Sequence, residues 1–491
     1  MSDIVVTTKC GQVRGTTENA IHSFKGVPYG ASTGGPHRFL PPRHVEPWTE
    51  VRDATRYGPS CPQTGMSGGR WTSVGAPFPG FSDPTFLDED CLVLNVWTPG
   101  VMVGGQRPVM VWLHGGGLHA GTGSSPLYDG AALARRGDTV IVTINHRLGI
   151  LGYLHLAPQM GQRYQASGMV GMLDIVASLE WVRDNIETFG GDPDNVTIFG
   201  QSGGGQKVGT VLAMPSAQGL FHRAVVQSGG LLHLGARMDP TELAGFVLDR
   251  LGVESGDVEA LARLSVDDII DVAIEVNDRF GAMVFNGVVD GVAMPDHPDA
   301  MLRRGVAADV PLMLGTTSDE FRGTMDPGTP IDDDFLLSML AGVLGRKDTG
   351  EGAREPLAAY RRDEPETTNA ALFGEVFTHY VQIQSVKTAE AKLVCSRAPV
   401  YAYVFAEPPA FHCAELAYLF RWGVDDALAD EISDTWLAFA RYGDPNNDHL
   451  PKWLPYSSDE RATMILDRRP HVENDPWESV RRRWEHIPAN F

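Results

Sequence analysis

Hydrophobic residues in this chain fall into short, nearly unbroken runs separated by segments of helical spacing. Pro108–His114, Thr139–Asn145 and Val196–Phe199 are apolar at almost every position. Runs of this length, rich in β-branched and aromatic residues, read as strands buried on both faces. Ala224–Gln227, Val310–Leu314 and Val400–Phe405 repeat the pattern. Between them, Asp129–Arg136 reads as a short helix. Asp174–Phe189 carries Ile175, Leu179, Val182 and Ile186 at helical spacing and stops at Gly190-Gly191. Asp434–Tyr442 reads as a late helix. Strand and helix in alternation predict an α/β protein with a large, mainly parallel sheet covered by helices on both faces. The first hundred residues, broken by Gly and Pro, predict antiparallel hairpins along one edge. Residues 235–305 and 325–395 read as helical insertions that roof a pocket. No linker, repeat or low-complexity tract divides the chain, so residues 1–491 are expected to form one domain.

Composition narrows the function classes. Of 491 residues, 43% are hydrophobic and 21% charged, the balance of a folded globular protein. A formal net charge of −22 disfavours nucleic acid and anionic membrane surfaces as partners. No apolar run approaches the length of a membrane span. The N-terminus lacks a basic stretch followed by an apolar one, so a cytoplasmic location is expected. Five cysteines, none in a Cys-x-x-Cys pair, make neither a disulfide framework nor a zinc site. No Gly-x-x-x-x-Gly-Lys loop or dinucleotide fingerprint is present, and no metal, nucleotide or redox cofactor is expected. Oligomeric state leaves no mark in the sequence.

Glycine turns at strand ends are where open α/β sheets place their sites. The Val196–Phe199 run ends in Gly200-Gln201-Ser202-Gly203-Gly204. Gly-x-Ser-x-Gly between a strand and a helix fits a sharp elbow that presents a serine hydroxyl as nucleophile. A second turn, His114-Gly115-Gly116-Gly117, follows the Pro108 strand. It fits a loop whose backbone N–H groups, from Gly116 and Gly117 together with Gly203, receive an oxyanion. A serine nucleophile also needs a carboxylate and then a histidine further along the chain. Asp319 and Glu320 both follow the strand-and-turn Leu312–Gly315, and the pattern does not choose between them. Among 15 histidines, His412 is favoured over His379 and His449, because it lies on a loop after the Val400–Phe405 strand.

These segments together resemble the type-B carboxylesterase family, the cholinesterase and p-nitrobenzyl esterase-like branch of the α/β hydrolases. The resemblance runs through Phe24–Tyr29, Glu89–Trp97, His114–Gly117, Asn145–Gly149, Phe189–Pro193, Gly200–Gly204, Gln227–Gly229, Asp319-Glu320 and His412. It implies the α/β-hydrolase fold and a Ser-Glu-His triad of Ser202, Glu320 and His412. It favours Glu320 because the family's acid is the glutamate of an Asp-Glu-Gly motif. It implies hydrolysis of small to medium, largely uncharged esters through an acyl-enzyme, with aryl carbamates or amides as the alternative substrates. Non-catalytic adhesion-type members generally lack the nucleophile, and Ser202 argues against that reading. The chain departs from the family at Gln201 (usually Glu), Gly203 (usually Ala), Leu118 (usually aromatic), Phe321 (usually Gly) and Cys413 (usually Gly). Gln201 removes a negative charge beside the nucleophile, which predicts a weaker preference for cationic substrates. Gln201 and the His412-Cys413 pair are similar to bacterial relatives that hydrolyse aryl carbamates. Gln201, Leu118, Leu231, Met283 and Phe285 are candidate pocket residues. Cys61 and Cys91 match positions that form a disulfide in secreted relatives, and a cytosolic chain is expected to keep them reduced.

Overall fold

The computed structural model describes residues 2–64, 86–101, 104–230, 234–235, 238–280, 284–323, 326, 328–343, 351–363 and 365–485. Among these, thirteen strands make one sheet. They are β1 (Ser2–Thr7), β2 (Gln12–Glu18), β3 (Ile21–Pro28), β4 (Arg52–Asp53), β5 (Val93–Thr98), β6 (Arg107–Leu113), β7 (Val140–Ile144), β8 (Gly191–Gln201), β9 (Arg223–Gln227), β10 (Leu312–Thr317), β11 (Val400–Phe405), β12 (Ala462–Leu466) and β13 (His471–Asn474). Their order is β1-β2-β3-β5-β7-β6-β8-β9-β10-β11-β12-β13, with β4 beside β2. From β7 to β12 every neighbouring pair is parallel. The expected antiparallel edge is present in β1, β2, β3 and β5. It is not purely antiparallel, because β4 runs parallel to β2.

Alternation along the central strands divides the core in two. In β6, Val109, Val111 and Leu113 join one apolar cluster, while Met110 and Trp112 join another. In β11, Val400 and Ala402 face the first, and Tyr401, Tyr403 and Phe405 the second. Side chains at successive strand positions point to opposite faces, so each strand contributes to both. The first face is covered by the helices Val170–Asn185 and Gly203–Ala213, the second by Ala131–Gly137 and Ala427–Tyr442. This is the α/β-hydrolase arrangement.

Among the described residues, each of the two stretches read as helical holds several helices. Pro240–Arg250, Val258–Arg263, Val266–Phe280 and Pro298–Arg303 lie between β9 and β10. Asp333–Val343, Glu351–Asp363 and the 25-residue Asn369–Leu393 lie between β10 and β11. No helix of the described residues is long and apolar enough to cross a membrane.

Candidate active site

β8 runs straight into the serine. Gln201 is its last residue, and the helix Gly203–Ala213 starts one residue after Ser202. Ser202 takes φ 58 and ψ −123, a backbone conformation that a side chain rarely adopts. Its N–H donates to the carbonyl of Gln227 at the end of β9, 2.8 Å away. The glycines around it are required by close approach. A Cβ on Gly204 would lie 2.0 Å from the Leu113 carbonyl oxygen, and one on Gly200 would lie 2.6 Å from the Gly204 carbonyl carbon. The helix therefore packs directly against the ends of β6 and β8, and the serine is pushed out of the turn.

Two loops beyond the strand ends are laced to each other by backbone hydrogen bonds. Ser318 N–H donates to Phe405 O (2.8 Å), Asp319 N–H to Ala410 O (3.1 Å) and His412 N–H to Glu320 O (2.7 Å). Pairing started by β10 and β11 thus continues past the strands and sets residue 320 beside residue 412. Glu320 is fully buried. One of its oxygens accepts from the Thr317 N–H at 2.8 Å, and the other takes a short hydrogen bond from His412 Nδ1. A carboxylate accepting from Nδ1 leaves Nε2 as the imidazole's basic nitrogen. That nitrogen is at the elbow, since the Gln201 side-chain amide is 3.2 Å from it. The neighbouring Asp319 is half exposed and pairs with Arg322 at 3.6 Å. His379 is bound to Glu375 and Tyr360, and His449 to Asp434 at the surface. Of the candidate acids and histidines, the structure brings Glu320 and His412 together beside the elbow.

The His114–Gly117 loop leaves β6 beside the elbow. Gly116 has φ 92 and Gly117 φ 63. Gly203 lies directly against Gly117: a Cβ on Gly203 would be 2.3 Å from the Gly117 nitrogen. Among the described residues, no acceptor takes the N–H of Gly116, Gly117 or Gly203. Three unpaired donors beside a serine hydroxyl form a site for a developing negative charge.

A family model described as the carboxylesterase family matches residues 2–484. The chain belongs to the carboxylesterase family. A para-nitrobenzyl esterase of Bacillus subtilis is 34% identical over 98% of each chain. A phenmedipham hydrolase of Pseudarthrobacter oxydans is 34% identical over 94% of each. A solved carboxylesterase of Geobacillus stearothermophilus superposes with a TM-score of 0.84 at 35% identity, covering 98% of this chain and 99% of that one. The protein is therefore a serine hydrolase that cleaves carboxylic esters.

Three of the esterase's departures from the family pattern, Gln201, Phe321 and Cys413, lie at His412. Phe321 stacks on the His412 ring, with centroids 4.7 Å apart and planes 26° apart. Cys413 holds φ 73, where the family's glycine costs nothing and a cysteine is strained. Burial pushes the His412 imidazole down, but Cys413 and Glu320 beside it outweigh burial and hold it well above its ordinary value. Burial also pushes the Cys413 thiol up. Gln201 is buried, and among the described residues its carbonyl oxygen has no hydrogen-bond partner.

Of the other candidate pocket residues, Leu118 and Phe285 are buried in the first core cluster. Leu231 and Met283 lie outside the described residues. Cys61 and Cys91 are buried neighbours but free thiols, not a disulfide. Cys61 Sγ accepts from the Leu148 N–H at 3.3 Å, and a hydrogen bond to Cys61, with burial, pushes the Cys91 thiol well up.

Three residues at the esterase's site escape sequence reasoning. Thr317 caps the acid from the end of β10. Glu415, one turn after His412, is buried and bonded to Gln227 at 3.1 Å; burial and then the Glu320 charge push it up to about 7. Lys207 lies inside the nucleophile's own helix, fully buried, and burial pushes it down to about 7. A lone lysine in an otherwise apolar and glycine-rich helix was the available signal.

Proposed function

We propose that Ser202 is the nucleophile of this esterase, His412 its general base and then acid, and Glu320 the group that holds the imidazole. The N–H groups of Gly116, Gly117 and Gly203 receive the oxyanion. The observation that carries this is the pairing of buried Glu320 with His412 Nδ1, which leaves Nε2 facing the elbow. Nε2 takes the Ser202 proton as the oxygen attacks the carbonyl carbon, and the negative charge moves to the carbonyl oxygen. The alcohol leaves with that proton, an acyl-enzyme remains, and His412 activates water to release the acid. Substrates are small to medium, largely uncharged esters, since Gln201 supplies no negative charge where the family usually has glutamate. The helical segments 235–305 and 325–395 roof the pocket. Turnover of p-nitrophenyl acetate and butyrate by wild type and Ser202→Ala tests the assignment. Loss of about 10⁴-fold or more in kcat is expected, and equal rates would overturn it.

A second reading is hydrolysis of aryl carbamates by the same residues. It is favoured by the resemblance to a phenmedipham hydrolase and by the shared Gln201 and His412-Cys413. Sustained turnover of an aryl carbamate panel supports it; stoichiometric inactivation without turnover rejects it.

A further inference from the structure

Lys207 is a fully buried lysine. It sits on the helix Gly203–Ala213, and its Nζ donates to the His114 carbonyl at 2.9 Å. No ion pair to it is found among the described residues, and no second acceptor is either. An unpaired ammonium taken out of water is costly to a fold. A cost of this kind is concentrated where a protein needs the charge.

The surroundings say where it is needed. His114 opens the oxyanion loop. Its Nδ1 is 2.8 Å from the Gly115 carbonyl oxygen, which only accepts, so Nδ1 carries the proton. His146 stacks on the same ring at 5.1 Å, and its Nδ1 likewise donates to the Arg147 carbonyl at 2.8 Å. Among the described residues, Nε2 of both rings has no hydrogen-bond partner, and neither does His119 Nε2. Burial first, and the Lys207 charge second, keep His114, His119 and His146 neutral. The loop closes tightly on this arrangement: a Cβ on Gly121 would lie 2.4 Å from His114 Nδ1.

The Gly115 carbonyl and the Gly116 N–H belong to one peptide group. A hydrogen bond accepted by the carbonyl draws electron density from the nitrogen and strengthens its N–H as a donor. The chain of contacts therefore runs from Lys207 to His114, from His114 to Gly115, and through that peptide to the N–H aimed at the substrate.

We propose that Lys207 is a positioning residue of the oxyanion hole: its Nζ donates to the His114 carbonyl and so fixes the start of the loop whose N–H groups receive the oxyanion. The role rests on assigning the hole to Gly116, Gly117 and Gly203. A group that holds the oxyanion donors in place serves a charge that develops only in the transition state, so it acts on kcat and not on KM.

The test is Lys207→Met, which keeps the bulk and removes the charge and donor. With p-nitrophenyl butyrate, kcat is expected to fall about tenfold or more, with KM within about twofold. A trifluoromethyl ketone, which forms a tetrahedral adduct with Ser202, is expected to bind more weakly by the same factor. The melting midpoint is expected to hold or rise, because an unpaired buried charge has been removed. A kcat within about twofold of wild type would overturn the proposal, as would a lower midpoint with kcat and KM worsening together. If Lys207→Met fails to fold, Lys207→Gln retains a donor without the charge and carries the same readouts. Fluorophosphonate labelling of Ser202 in the wild type separates the two levels. Failure to label defeats the active-site reading itself, whereas labelling with unchanged kcat in Lys207→Met defeats only the role of Lys207.

Discussion

Gly203 stands where the family usually has alanine, and the site is built around the missing methyl. The Gly117 nitrogen, oxygen and Cα all lie within 2.4 Å of where that methyl would be. Backbone atoms cannot give way as the far end of a flexible side chain does, so Gly203→Ala must displace the oxyanion loop. The variant restores the family's residue, yet it is expected to lower kcat about tenfold or more, since a donor moved by a few tenths of an ångström no longer meets the oxyanion. Burst-phase kinetics with p-nitrophenyl acetate check this, and wild-type acylation rates in Gly203→Ala would refute it. The same scale explains why the histidine's neighbours matter. Phe321 and Cys413 are both larger than the glycines they replace, and one stacks on the imidazole while the other sits in the turn that follows it. They crowd the base from two sides, which bears on its orientation and not on the reaction it runs.

At the level of elements, the helix Asn369–Leu393 holds the acid loop through several side chains, and the Thr378 hydroxyl is the one that touches both sides of Glu320. Thr378 Oγ1 accepts from the Phe321 N–H at 3.1 Å and lies 3.2 Å from the Asp319 carbonyl oxygen, so it spans Glu320 on both sides. Thr378→Val keeps the shape and removes the bonding. It removes the hydroxyl that accepts from the Phe321 N–H and loosens the loop that carries the carboxylate, at a cost of about 1 kcal/mol. Expected together are a lower melting midpoint and a fall in kcat with KM nearly unchanged; a lower midpoint with wild-type kcat would show that the helix does not position Glu320. The elements themselves differ in how plainly the sequence announces them. β6, β8, β9 and β11 are buried on both faces, so unbroken apolar runs mark them, and the glycine turns at their ends mark the elbow and the oxyanion loop. β10 extends to Thr317, beyond the apolar run that ends at Leu314, because two buried threonines complete it beneath the acid. The helix read from Asp434 begins at Ala427, where the Asp426 side chain caps it through the Ala429 N–H at 3.0 Å. The choice of Glu320 over Asp319 needed either the family motif or the inter-loop pairing, since both carboxylates follow the same strand. Lys207 and Glu415 stayed hidden because a charged residue in a helix ordinarily marks its wet face, and only the packing reveals these two as buried.

For the whole molecule, Lys207 ties the active site to global stability. Its folded-state pKa is pushed down to about 7 from an ordinary value of 10.5. Between those values the unfolded chain holds a proton that the folded chain has released, so the Lys207 contribution stabilises the fold increasingly as pH rises through that window. Below about 7 both states are protonated and the full burial cost is present. The slope is about 1.4 kcal/mol per pH unit while the difference lasts. A formal net charge of −22 gives the molecule other reasons to change with pH, self-repulsion among them. Glu415 works in the opposite direction at lower pH: its folded-state value of about 7 exceeds its ordinary 4.5, so its contribution falls as pH rises between those two values. The absolute curve of the wild type therefore mixes several titrations, and the informative quantity is the gap between wild type and Lys207→Met. Methionine cannot titrate, so that gap isolates the lysine. The variant is expected to melt higher than the wild type at pH 6 to 7, and its advantage is expected to shrink steadily toward pH 9 as the wild-type lysine becomes neutral in the folded state. Scanning calorimetry of both proteins at matched ionic strength measures it. A gap that stays constant from pH 6 to 9 would mean that Lys207 keeps its proton throughout, and that its surroundings supply a counter-charge or water to the buried ammonium.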